Sequence, residues 1–315
     1  MTKSSVVLIT GGTGMIGKSI TKSLIEKGHE VIILTRDSSG NKNPVTPGVS
    51  YADWNIDKQK IDLQALAKAD YIIHLAGAGI ADKRWTNERK KEIEESRVKS
   101  GELLVHTLLN NPHKVKALVS ASGIGWYGPD PQIPNPRPFI ETDPPGEDFL
   151  GQTCKKWEDS LNGLEESGVR VVKLRTGPVF SLAGGMLPEF LKPIKFGIAS
   201  ILGNGKQEIS WIHIDDITRM YIYALENEKI HGIYNAVSPQ HATNKSIVLQ
   251  LAKNLKSTFF VPVYVPSFAL KMVLGELSVE VLKSTTVSPS RIKNSGFVFQ
   301  FPTLDAAIKN LIKQK

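Results

Sequence analysis

The run Val6-Val7-Leu8-Ile9-Thr10 leads directly into Gly11-Gly12-Thr13-Gly14-Met15-Ile16-Gly17, a glycine spacing that suits the binding of a pyrophosphate. Gly11 permits a tight turn, Gly14 has no side chain to hold the backbone away from an anion, and Gly17 lets a following helix pack against the preceding strand. The N–H groups of that helix's first turn have no partner inside the helix and would face the phosphates. The alternative is a glycine-rich turn without a ligand, in which the backbone entropy of the glycines is spent with no packing return.

A second chemical decision falls about 20 residues past the loop, where a dinucleotide fold chooses between two cofactors. An acid there grips the ribose 2′-hydroxyl of NAD, whereas an arginine accommodates the additional phosphate of NADP. The strand read over Glu30 to Leu34 ends in Thr35-Arg36, and Arg36 is a good bidentate phosphate partner. Asp37, one residue later, would supply the acid under a shifted register. The expectation is NADP, with NAD as the alternative.

These groups need a parallel sheet to carry them. The apolar run before the loop suits a strand covered on both faces, Ile16, Ile20 and Leu24 recur on one side of the next helix, and Gly28 stops it. Residues 38 to 48, rich in Ser, Gly, Asn and Pro, read as a surface loop. Then follow a strand at Tyr51 to Trp54, a helix at Leu63 to Lys68, a strand at Tyr71 to Leu75 with small residues Ala76-Gly77 after it, a long helix at Asn87 to Leu109, and a strand at Lys116 to Ser122. This alternation predicts a doubly wound sheet. Val169 to Leu174 continues it, a helix from Met186 toward Phe196 leaves it, and Glu208 to Ile214 returns as a strand before a helix capped by Asp215 or Asp216. Ile233 to Ala236 rejoins the sheet, Asn244 caps the next helix, and Ser267 to Leu274 forms another. Phe297 to Phe301 alternates as a half-buried strand before a final helix with Leu304, Ala307, Ile308 and Leu311 on one face.

Composition narrows the classes. A hydrophobic share of 41% with 22% charged residues is ordinary for a globular protein and argues against disorder. Apolar runs are too short for a spanning helix, so no membrane partner is expected. The formal charge of +8 raises the question of nucleic acid, but the lysines are mixed with acids, as in Lys90-Lys91-Glu92-Ile93-Glu94-Glu95, and no nucleic-acid partner is expected. One cysteine, Cys154, excludes an internal disulfide and suits a reducing cytoplasm. No cluster of ligating residues has metal spacing.

The chain resembles the extended short-chain dehydrogenase/reductases, in particular the atypical branch labelled the epimerase family, whose members carry a C-terminal extension. The matching pieces are the glycine loop, Leu75-Ala76-Gly77, Arg84-Trp85, Ser96-Arg97, Ser120-Ala121-Ser122, Trp126-Tyr127-Gly128, Trp157-Glu158, Arg175-Thr176-Gly177, Gly203-Asn204-Gly205, Trp211-Ile212-His213-Ile214-Asp215-Asp216 and Asn235-Ala236. The resemblance implies a dinucleotide held by Gly11, Gly12, Thr13, Gly14, Met15, Ile16 and Gly17, by Thr35 and Arg36, by Leu75, Ala76 and Gly77, by Arg97, by Ser120 and Ala121, and by backbone near Val179.

The chemistry departs from the family pattern. Ordinary members use a tyrosine as general acid/base, a lysine four residues later to lower its pKa and hold the ribose, and a serine or threonine for the reacting oxygen. None of the seven tyrosines here has a lysine four residues on. Setting Glu158 against the family's glutamate puts Leu150 in the tyrosine's place and Cys154 in the lysine's. Leu150 cannot exchange a proton; Cys154 is either a reactive thiol favoured by Lys155 and Lys156 or a plain buried one. The remaining catalytic candidates are Ser122, which would orient the oxygen, and Tyr127, which either replaces the acid or anchors the proline-rich loop from Gly128 to Gly146. His213 reads as a hydrogen-bonding corner rather than a catalytic base.

The sequence therefore predicts an α/β protein: a Rossmann-type doubly wound parallel sheet with a smaller C-terminal α+β substrate region. Residues 1–176, completed by about 214–237, would bind NADP, and residues 177–213 and 238–315 would bind substrate. Two functions stay open: hydride transfer on a polar small molecule such as a nucleotide sugar, or NADP binding without turnover as a sensor or regulator. Either a monomer or a homodimer is compatible, and the charged face of the long helix argues against a large apolar interface there.

Overall fold

The computed structural model describes residues 4–38, 46–257 and 259–313. Its strands are β1 (Val6–Thr10), β2 (Glu30–Thr35), β3 (Val49–Asn55), β4 (Lys60–Ile61), β5 (Tyr71–His74), β6 (Ala117–Gly123), β7 (Arg170–Thr176), β8 (Val179–Phe180), β9 (Ile198–Leu202), β10 (Glu208–Ile209), β11 (Ile212–His213), β12 (Gly232–Ala236), β13 (Ala242–Thr243) and β14 (Val261–Val265). The helices are α1 (Met15–Glu26), α2 (Leu63–Lys68), α3 (Asn87–Asn110), α4 (Phe149–Asp159), α5 (Leu187–Lys195), α6 (Ile214–Glu226), α7 (Asn244–Lys256), α8 (Ser267–Leu274), α9 (Leu277–Leu282), α10 (Ser290–Asn294) and α11 (Leu304–Lys313).

The main sheet has the strand order β12-β7-β6-β5-β1-β2-β3-β4, parallel throughout except for the β3–β4 pair. Because side chains alternate along each strand, the pleat sorts the apolar residues into two layers. Val7, Ile9, Val31, Ile33 and Ile73 pack with Ile20 and Leu24 of α1 and Ile217 and Tyr221 of α6, while Leu8, Ile32, Leu34 and Ile72 pack with Leu66 of α2 and Leu103 and Leu104 of α3. This is the doubly wound sheet that the sequence predicts. From β1 the chain moves outward to β2 and β3, then crosses back to β5 on the other side of β1. The strand order therefore reverses between β1 and β5, and in open parallel sheets ligands bind in the crevice beyond the strand ends at such a point.

Several boundaries depart from the sequence reading for identifiable reasons. Residues 208–214 are not one strand: β10 pairs antiparallel with β13, whereas β11 pairs parallel with β8, and the break at Ser210-Trp211 lets each half reach its own partner. The cap of α6 is His213, whose Nδ1 accepts the Asp215 N–H at 3.1 Å, so Asp215 and Asp216 lie in the first turn instead. Thr243, not Asn244, caps α7; the Asn244 Oδ1 accepts the Leu202 N–H at 2.9 Å. Phe297 to Phe301 is not a strand. Its backbone is held by the buried Asp216 carboxylate, which accepts the N–H groups of Gln300 and Phe301 at 2.7 and 2.9 Å. Residues 39–45 of the expected surface loop lie outside the described residues.

Candidate functional site

At the strand-order reversal, Thr10 and His74 are register partners on β1 and β5, and both are fully buried. The Thr10 Oγ1 accepts the N–H groups of Leu75 and Ala76 at 3.1 and 3.2 Å, which leaves its own hydrogen for His74 Nδ1 at 2.8 Å. His74 Nε2 then meets the Ser100 Oγ at 3.3 Å, and that hydroxyl donates to the Arg97 carbonyl at 2.9 Å. Burial pushes the His74 pKa down to about 3, so the imidazole is neutral and serves as a strut between the two strand ends and α3.

The glycine loop divides by what a side chain would meet. A Cβ on Gly17 would lie 2.5 Å from the Gly11 oxygen and 2.6 Å from the Gly12 Cα, and one on Gly12 would strike Ile33 at 2.9 Å. Gly11 has a φ of +68° and sits against the Leu75 backbone. Gly14 differs: the Gly11 oxygen at 3.3 Å is all that a Cβ there would meet. It is also the N-cap of α1, without a side-chain cap and with no acid in the first turn. A helix start with unmatched N–H groups, beside a glycine that internal packing does not require, fits a dinucleotide's pyrophosphate.

The other expected cofactor residues are placed as follows. Arg36 is exposed at the end of β2, and Thr35 Oγ1 accepts the Asp37 N–H at 3.5 Å. Glu92 is held below its usual carboxylate range chiefly by a hydrogen bond from Arg89, with Lys83 and Arg36 adding positive charge. Across the loop, the turn after β8 comes close: a Cβ on Gly184 would be 3.4 Å from the Met15 Sδ, and one on Gly185 would be 3.1 Å from the Val179 oxygen. Ser120 is buried near the end of β6, with Ala121 half-buried beside it.

Arg97 is the unusual cation here. It is 7% exposed, its Nη1 donates to the carbonyls of Ala78 and Ile93 at 3.0 and 2.8 Å, and its guanidinium lies 5.0 Å from the Trp157 ring. Among the described residues no carboxylate pairs with it. Burial lowers its pKa, the Cys154 thiol counteracts this and Arg89 adds to it. Buried cations normally have a counter-ion, so this one has capacity for a ligand.

The catalytic candidates are placed differently, in a buried network below the strand ends. Glu158 of α4 receives Nε and Nη2 of Arg175 at 2.8 and 3.0 Å and the Ser122 hydroxyl at 2.7 Å. The Tyr127 hydroxyl donates to the Asn235 Oδ1 at 2.7 Å and accepts Arg175 Nη1 at 3.1 Å. Trp126 stacks 3.6 Å from the Arg175 guanidinium. Burial pushes the Tyr127 pKa up to about 12, outweighing the Arg175 charge. Of the two roles open to Tyr127, anchoring is the one this geometry describes. The loop it anchors returns on itself, with the Gly146 N–H donating to the Trp126 oxygen, and Asp130 ties it to Ser284 and Thr286. Cys154 is buried against Gly123 and Gly125, and burial raises its pKa to about 12, as expected of a plain thiol.

Sequence reasoning assigned no role to Glu158, Arg175 or Asn235, although all three lie in stretches that carried the family resemblance. The signal was the pairing of an acid on a helix with an arginine inside an apolar strand. Among the described residues no group of acids, histidines or cysteines could hold a metal ion.

Comparison with known proteins adds a family to this geometry. The model described as "NAD dependent epimerase/dehydratase family" matches residues 7–236, and a domain of unknown function, DUF1731, matches residues 265–311. An epimerase family protein of Staphylococcus saprophyticus is 33% identical over 310 residues, covering 97% of this chain and 98% of its own. The crystal structure of the human epimerase family protein SDR39U1 with NADPH superposes with a TM-score of 0.84 at 31% identity, covering 98% of this chain and all of that one. A nucleoside-diphosphate sugar epimerase of Corynebacterium glutamicum gives 0.77 at 29% identity, over 99% of this chain and 59% of that longer one.

Proposed function

The chain belongs to the NAD dependent epimerase/dehydratase family, and from that premise we propose that it binds NADP(H) across the β1/β5 crevice and acts as a reductase or epimerase on a polar substrate, with nucleotide sugars as the first class to try. The observation that carries the cofactor reading is Gly14, a glycine with room for an anion at the uncapped start of α1. The N–H groups of Met15, Ile16 and Gly17 bind the pyrophosphate, and Arg36 pairs with the 2′-phosphate. Leu75, Ala76, Gly77, Ser120, Ala121 and the Val179 backbone line the remaining length, and Arg97 adds positive charge from α3. Bound nicotinamide supplies or accepts the hydride. Residues 177–213 and 238–315 hold the substrate. The NADPH of the human relative and the name of the Corynebacterium relative support the cofactor and the substrate class, respectively. A single buried cysteine accords with a cytoplasmic location.

A second reading, NADP(H) binding without turnover, is favoured by one observation: Ser122 and Tyr127 spend their hydroxyls on Glu158, Asn235 and Arg175, and Leu150 and Cys154 offer no proton relay in their place.

Calorimetric titration with NADPH and NADH tests the shared premise. NADPH binds more tightly, and Arg36→Ala removes the preference, costing NADPH about 10- to 100-fold, the worth of a charge-assisted hydrogen bond. Failure of both nucleotides to bind overturns both readings. Loss of nicotinamide absorbance with a nucleotide sugar selects the enzyme; binding without turnover across such a panel selects the sensor.

A further inference from the structure

Two helix-to-strand connections of the smaller region carry the same residue types. α5 ends in Lys192 and Lys195, followed by Phe196 and β9; α7 ends in Lys253 and Lys256, followed by Phe259 and β14. β9 and β14 pair in parallel from Ile198 and Val261 onward, and the Val261 N–H donates to the Gly197 oxygen at 2.8 Å, so the two turns lie side by side. Phe196 and Phe259 are each 84% exposed, with Val261 and Ile198 exposed beside them. Two such rings present on the order of 300 Å² of apolar surface, a size at which a monomer's largest patch is often functional.

The charge around the rings is predominantly positive. Residues 190–207 and 244–275 contain Lys192, Lys195, Lys206, Lys245, Lys253, Lys256 and Lys271 and no aspartate or glutamate. Glu189 pairs with Lys192 at 2.6 Å and Asp305 lies near Lys253, but Lys195 and Lys256 have no ion pair among the described residues.

We propose that this tip, Phe196 and Phe259 flanked by Lys192, Lys195, Lys253 and Lys256, docks on the surface of a bilayer containing anionic lipid. The rings enter at headgroup level while the ammonium groups meet lipid phosphates. This is surface contact, since among the described residues no helix is long and apolar enough to cross a membrane; it departs from the expectation of no membrane partner, which rested on the lack of a spanning segment. A second copy of the chain fits less well. A two-fold contact centred on the tip sets lysines against lysines. Strand addition is also hindered: N–H groups alternate sides along a strand, the Val261 N–H points to β9, and Pro262 therefore leaves a missing donor on the free edge.

Co-sedimentation of the full chain with vesicles of phosphatidylcholine, alone or mixed with phosphatidylglycerol, tests this. The chain sediments with the mixed vesicles only, and high salt releases it. Lys253→Glu with Lys256→Glu lowers partitioning by more than about tenfold, each lysine near such a surface being worth about fivefold. Phe196→Ser with Phe259→Ser lowers it comparably, while circular dichroism and NADPH affinity stay unchanged in both variants. The proposal is overturned if the wild type ignores the mixed vesicles, or if neither double variant weakens its binding. It is equally overturned if the chain forms a concentration-dependent dimer that the serine variant dissolves, because the tip is then a contact between copies.

Discussion

Arg175 grips Glu158 through two parallel hydrogen bonds, Nε to Oε1 at 2.8 Å and Nη2 to Oε2 at 3.0 Å, with both side chains buried. The pair also takes the Ser122 hydroxyl and the face of Trp126, joining β6, β7 and α4 under the strand ends. Such a pair gains little over an apolar core, but breaking it leaves a buried charge alone. Glu158→Gln therefore lowers the unfolding free energy by about 3–5 kcal/mol, measured by urea denaturation. A loss below about 1 kcal/mol would mean that water or rearrangement compensates Arg175.

Tyr127→Phe separates anchor from acid. Its hydroxyl links Asn235 and Arg175 inside the core, so removal costs about 1–3 kcal/mol of stability. NADPH affinity is unchanged, and so is the pH profile of any turnover found. A pH profile that loses a limb in the phenylalanine variant would return Tyr127 to the chemistry.

Acid sensitivity follows from two buried histidines. Burial pushes His74 down to about 3 and His213 down to about 4, from 6.5 in the unfolded chain. As pH falls below 6.5 the unfolded chain takes up protons that the folded one refuses, so stability declines through the window from 6.5 to about 4. Above that window these groups contribute no slope. Each histidine contributes about 1.4 kcal/mol per pH unit inside it. His213→Asn retains a cap for α6 while removing one titration. Urea midpoints from pH 7.5 to 5 fall less steeply in this variant than in the wild type; equal slopes would show that His213 is not the titrating group.

How much of this was legible in the sequence depended on whether a residue's role was local. The glycine loop, the end of α1 at Gly28 and the bounds of α2 and α8 follow from patterns spanning a few residues, and they match. The alternation of Phe297 to Phe301 was locally persuasive as a strand, but Asp216, more than eighty residues earlier, claims its N–H groups. The same holds at the candidate site. The exposed position of Arg36 just after β2 follows from its distance to the loop, whereas the contacts of Ser122 and Tyr127 were set by Glu158, Asn235 and Arg175, which no spacing rule reveals.

The glycine loop itself yields the sharpest contrast. Gly17→Ala drives a methyl to within 2.5 Å of the Gly11 oxygen and 2.6 Å of the Gly12 Cα, all backbone, so α1 must part from β1. Several kcal/mol of stability are lost, in the range of other overpacked or strained cores, about 1–3 or more. Gly14→Ala meets only the Gly11 oxygen at 3.3 Å, and a φ of −75° suits alanine, so thermal unfolding shifts by no more than a few degrees. Its methyl instead occupies the approach to the first-turn N–H groups. NADPH affinity, measured by calorimetry on the folded variant, falls by at least about tenfold, the equivalent of one charge-assisted hydrogen bond. If Gly14→Ala binds NADPH as the wild type does, the anion does not sit at the start of α1, and the crevice reading fails while the fold stands.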